Sequence, residues 1–145
     1  MVRITQSVDI SAAPELVWAA AADLASHAEW MADAESITFL TDRRSGVGTR
    51  MEVLTVVGPL RTRDLMEVTE WVEGETIGVR HQGLVTGRGR FRLDPLPDGG
   101  TRFTWTEELR FPWWLGGGLT AFAAKPVLGW VWRRNLTGLK RRLET

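Results

Sequence analysis

Between residues 35 and 111 the sequence takes up a two-residue period and keeps it. Six strand-like runs lie near residues 35 to 41, 49 to 57, 60 to 71, 75 to 81, 84 to 94 and 101 to 111, separated only by RRSGVG, a Gly58-Pro59 break, VEG, QG and LPDGG. Separators that short and that rich in turn formers make neighbouring runs pair as antiparallel hairpins. In GRGRFRLD, Arg88, Arg90 and Arg92 fall on one face and Gly87, Gly89, Phe91 and Leu93 on the other, which describes a sheet with one wet side.

The flanking segments say what covers the dry side. RITQSVDI, from Arg3 to Ile10, alternates as another half-buried strand. SAAPELVWAAAADL then reads as a short helix, with Pro14 in its first turn, Ser11 or Ala13 near its cap, and Val17, Trp18 and Ala21 on one face. ASHAEWM reads as a second helical turn. From about Leu119 to Leu143, Leu128, Trp132, Leu136, Leu139 and Leu143 recur at three- or four-residue steps, marking a long amphipathic helix with basic residues toward its end. Pro126 is expected to kink that helix or to end a first segment, because it has no N–H for the preceding turn. A seven-stranded antiparallel sheet that must bury one face, with one long helix to bury it against, predicts an α+β fold in which a curved sheet wraps the C-terminal helix. At 145 residues, with no internal repeat, the chain is expected to form a single domain over 1–145.

Composition narrows the function. With 18 Lys plus Arg against 18 Asp plus Glu, the net charge is zero and nucleic-acid binding is not expected. The charges are unevenly placed: residues 1 to 109 hold 11 basic and 17 acidic groups (net −6), residues 110 to 145 hold 7 and 1 (net +6). The absence of cysteine and the presence of only two histidines argue against metal and thiol chemistry, and no cofactor is expected. The N-terminus lacks the continuous apolar core of a signal peptide, so the cytoplasm is the expected compartment.

Several strings, in this order, resemble the START-like superfamily, specifically its polyketide cyclase/dehydrase and lipid-transport group: VDISAAPELVWAAAADLASHAEWM, GVGTR, VTEW, GGTRFTWTEEL and NLTGLKRRLE. The resemblance spans nearly the whole chain. It implies a helix-grip fold with a cavity between the concave sheet and the last helix, holding a hydrophobic small molecule, in a family whose members range from carriers to cyclases.

Strand phase, independently, puts three ionisable groups on the concave side. Glu107 shares a face with Phe103, Trp105, Leu109 and Phe111. Asp64 shares one with Leu60, Thr62, Met66 and Val68, although Trp71 falls on the opposite phase. His81 aligns with Ile77 and Val79. Asp64, His81 and Glu107 are therefore the candidates for acid–base chemistry, the plainer alternative being that each sits at a strand end, is wetted or pairs with one of the 16 arginines. His27 reads as a surface or hinge residue. The expected ligand-lining set is Trp30, Met66, His81, Phe91, Trp105, Glu107, Trp113, Trp114, Phe122, Trp130 and Trp132. The GVG of RRSGVGT reads as a hairpin turn, not a phosphate loop, since a strand and no helix follows it.

FPWWLGGGLTAFAAKPVLGWVW, residues 111 to 132, has Lys125 as its only charge. Two prolines and four glycines argue against a transmembrane span. Trp113 and Trp114 beside three glycines read as an apolar lid on a hinge at the cavity mouth. Two other uses stay open: an anchor making transient contact with a membrane surface, and a loop packed on the core. The leading expectation is a non-enzymatic binder or carrier of a lipid, polyketide-like or aromatic molecule, and the second is a cyclase or dehydratase working by general acid and base.

Overall fold

The computed structural model describes the backbone of residues 1–145 and all side chains but those of Leu60, Leu115 and Ala121; the placing of Leu60 beside Thr62 therefore lies outside the described residues. The strands are β1 (Val2–Ile10), β2 (Ala34–Phe39), β3 (Arg50–Val57), β4 (Leu60–Val72), β5 (Thr76–Gln82), β6 (Thr86–Pro95) and β7 (Thr101–Arg110). Between β1 and β2 lie the helices α1 (Pro14–Ala22) and α2 (His27–Trp30), and the chain closes with α3 (Gly117–Leu143). All seven strands form one antiparallel sheet in the order β1-β7-β6-β5-β4-β3-β2. Every strand from β2 onward pairs with its sequence neighbour, as short turns require. GVG lies in the turn between β2 and β3, as expected.

The exception is β1, which pairs with β7, so the first and second strands are the two edges of the sheet. The connection carrying α1 and α2 must therefore cross the sheet, and Val17, Trp18, Ala21 and Trp30 are buried with the core in doing so. Pro14 takes the first turn of α1 after an extended Ala13 cap, where its missing N–H costs nothing. α3 rests mainly along β1, with Leu136 and Leu139 fully buried and Trp132 nearly so.

Two departures from simple periodicity matter. Pro126 neither ends α3 nor divides it: the helix runs unbroken for 27 residues, about 40 Å at ~1.5 Å per residue. The carbonyl that loses its donor is that of Phe122, and both residues lie on the exposed side of the helix, facing solvent. In β4 the register slips between Val68 and Glu70. This bulge turns Trp71 back to the concave side, where its ring meets Trp18 edge-on at 5.4 Å, and so accounts for the mismatched phase of Trp71.

The outer face is a charge lattice. Arg88, Arg90 and Arg92 pair with Glu108, Glu70 and Asp94, while Arg63 meets Glu52 and Arg102 meets Asp9. Exposed pairs of this kind contribute little stability each, but they hold those arginines on the convex side.

Candidate functional site

The core is not evenly filled. On one side Phe103, fully buried, joins Phe91, Trp30 and Trp105 in a cluster of rings 5.0–6.5 Å apart, with Trp132 of α3 tilted against Trp105 at 5.2 Å. Such pairs add about 0.5–1.5 kcal/mol each beyond their burial. On the other side, between the sheet and the N-terminal half of α3, a cavity of about 400 Å³ remains. Its sheet wall is Met51, Val53, Met66, Ile77, Val79, Phe91, Trp105 and Leu109; its helix wall is Ala124, Val127, Leu128 and Trp132, and Phe111 and Val85 border it. The size lies within the range of small-molecule sites.

A buried polar pair is built into this mostly apolar lining. Glu107 in the middle of β7 is 4% exposed; one carboxylate oxygen accepts from Trp105 Nε1 at 2.9 Å and the other from His81 Nε2 at 2.8 Å. The carboxylate lies across β6 at Gly89, its register partner, where an added Cβ would approach Glu107 Oε1 to 2.5 Å and push the carboxylate out of place. Burial, the largest influence, would lower the His81 pKa. The charge and hydrogen bond of Glu107, with the charge of Asp64 behind them, outweigh it and raise His81 above its ordinary value. Asp64 faces the same cavity and accepts from the Thr62 hydroxyl at 3.1 Å. Among the described residues neither Glu107 nor Asp64 is paired with an arginine; Glu107 is buried, whereas Asp64 is only half-buried and so can still be wetted.

Of the expected lining residues, Met66, His81, Phe91, Trp105, Glu107 and Trp132 border the cavity, and Asp64 joins them. Five do not. Trp30 is buried in the ring cluster beneath the cavity. Phe122 and Trp130 are 77% and 58% exposed: on a 3.6-residue period Trp130 lies half a turn from Leu128 and Trp132, and Phe122 also falls outside their stripe. Trp113 and Trp114 sit in a short 3-10 turn, 87% and 61% exposed, and are not packed on the core. Gly116 at φ 95° ends that turn and allows α3 to begin.

Other residues here had no clear sequence signal. His27 corrects the surface expectation: it is 7% exposed, its Nε2 donates to the Ala21 carbonyl at 2.7 Å, and burial pushes its pKa down to about 4. Its ring packs against Trp30 and Phe91 and borders the cavity. Asp33, in the turn before β2, also borders the cavity; burial foremost, then the charge of Glu107, raises its pKa despite a 2.6 Å hydrogen bond from Asn135 Nδ2. Asn135 is 1% exposed and its carbonyl accepts from the Ala32 N–H, tying α3 to that turn. A polar residue within the inward stripe of the helix was the available clue.

The description of the family model that matches residues 1–144 reads polyketide cyclase/dehydrase and lipid transport. The chain belongs to that family. The same fold recurs in solved structures. One is a protein of Thermus thermophilus, with a TM-score of 0.84 and 23% identity over 98% of this chain and 97% of that one. A START superfamily protein of Mycobacterium smegmatis has a TM-score of 0.77 and 17% identity over 98% and 97% of the two chains. The Zhui aromatase/cyclase of a Streptomyces species has a TM-score of 0.74 and 18% identity over 99% and 93%. No curated protein matches the sequence. At these identities the likeness establishes the helix-grip fold, and the chemistry must be argued from the residues themselves.

Proposed function

We propose that residues 1–145 act as one domain that binds a hydrophobic small molecule, of lipid, polyketide-like or aromatic character, between the sheet and α3. The observation that carries this reading is the cavity of about 400 Å³ with a mostly apolar lining, into which the buried His81–Glu107 pair is set beside a few other polar groups. An apolar hollow supplies affinity by removing ligand surface from water, and a few placed polar groups orient what enters.

The arrangement of the pair favours binding over catalysis. Both oxygens of Glu107 already accept a hydrogen bond, so the carboxylate is engaged in holding His81 and Trp105. His81 Nδ1 has no hydrogen-bond partner among the described residues. Its raised pKa favours the doubly protonated ring, in which Nδ1 can donate to a carbonyl or hydroxyl oxygen of the ligand. A cyclase or dehydratase is the second reading, with His81 as the acid and Asp64 or Asp33 as the base; it is favoured by the presence of all three on one cavity.

The test is native mass spectrometry of freshly purified protein, with extraction and identification of what co-purifies. The expected result is one apolar molecule per chain, displaced by filling the cavity with Val79→Phe. Protein that carries no such molecule and takes up none from a lipid and polyketide panel would overturn the reading.

A further inference from the structure

The N-terminal half of α3 is apolar on both its faces. Leu128 and Trp132 turn inward, while Leu119, Phe122, Pro126 and Trp130, spaced three or four residues apart, face outward. Outside the core, Trp113, Trp114, Leu119, Phe122, Val127 and Trp130 are between 53% and 87% exposed. A helix that is apolar all round is normally buried, and a contiguous exposed patch of this kind marks a contact surface. No helix among the described residues is long and apolar enough to cross a membrane, so the patch is not part of a span.

Charge names the partner. Residues 110 to 145 carry 7 basic groups and 1 acidic group, and that acid, Glu144, is paired with Lys140. Arg134 lies 4.8 Å over the Trp130 ring, and Lys125 and Arg133 stand on the same half of the molecule, all exposed. Exposed tryptophans beside arginine and lysine match the headgroup boundary of a bilayer with negative lipids. A two-fold contact between copies of the chain through this face would set its cations against themselves. The patch also adjoins the cavity, for Val127 is both exposed and part of its helix wall.

We propose that the outward face of the N-terminal half of α3, with Trp113 and Trp114, docks on the surface of an anionic lipid bilayer and brings the helix wall of the cavity against it. The contact is peripheral and electrostatically assisted, and it does not depend on the identity of the ligand. The experiment is sedimentation of the full chain with vesicles of phosphatidylglycerol and phosphatidylcholine, or phosphatidylcholine alone, with tryptophan fluorescence as a second readout. Binding at least tenfold stronger to the anionic vesicles is expected, with a blue shift of emission and a loss of affinity at high salt. The double variant Trp113→Ala, Trp114→Ala and the charge variant Lys125→Glu, Arg134→Glu should each lose tenfold or more while melting like the parent. Equal affinity for both vesicles, or unchanged affinity in both variants, overturns the proposal; so does a patch-dependent dimer that fails to bind vesicles. Measuring uptake of an uncharged apolar dye without vesicles keeps the two ideas apart, since the variants should take it up normally even if docking fails.

Discussion

The two halves of α3 have nearly the same kind of composition facing the sheet and opposite fates. In the C-terminal half Leu136 and Leu139 are at most 1% exposed, Asn135 is hydrogen-bonded into the fold, and the helix is held along β1. In the N-terminal half the inward residues Ala124 and Leu128 meet a cavity, and the outward residues meet water. Close packing is therefore a property of one end of this interface only. The lesson is that a helix-grip interface divides its labour: the packed half stabilises the fold, and the half held off the sheet is available for a ligand.

The largest expected effect contrasts the halves directly. Leu136→Ala should destabilise the protein by about 2–5 kcal/mol in chemical denaturation, through lost burial and the void left behind. Trp130→Ala, although it removes more atoms, should change stability by less than about 0.5 kcal/mol, as expected of an exposed side chain. Comparable losses would break the comparison.

The two histidines sharpen it through pH. His27, held neutral where the ring cluster meets the cavity, with a pKa of about 4 against about 6.5 unfolded, makes its contribution to stability above pH 6.5 and loses it as pH falls toward 4. The total is about 3 kcal/mol, from roughly 1.4 kcal/mol per pH unit, and should be visible as the difference in urea midpoints between the parent and His27→Gln. His81 runs the other way: its folded pKa is raised, so its contribution is complete below about 6.5 and is lost as pH rises through the folded value. Glu107→Gln should bring the His81 titration, followed by NMR, down to below its ordinary value, because burial then dominates. A titration that does not move would mean that Glu107 does not hold His81. A smaller effect is expected of Val79→Phe, which fills the hollow instead of the packed end: less than about 1.5 kcal/mol of stability in either direction, because the added ring enters empty space.

Much of this was legible in the residues. Strand phase alone put Asp64, His81, Glu107, Met66, Phe91 and Trp105 on the concave face, because a period of two leaves only two choices per residue. Phe122 and Trp130 have the aromatic character of lining residues, but helix phase puts them off the Leu128–Trp132 stripe and they are exposed. His27 lies in a four-residue helix, too short for a period to show which side is buried, and only tertiary packing against Trp30 and Phe91 decides it. Asp33 sits in a turn with no period at all. The hollow itself was expected only from family resemblance, since periodicity says which side chains face inward but not whether the opposing surfaces meet.

The most direct test of the account is equilibrium titration of the lipid-free protein with the uncharged apolar fluorophore Nile red, in the parent and in Val79→Phe. The account predicts saturable uptake of one dye per chain by the parent, weakened at least tenfold in the filled variant while both remain folded. Uptake of equal strength in the two proteins, or none in either, would contradict it.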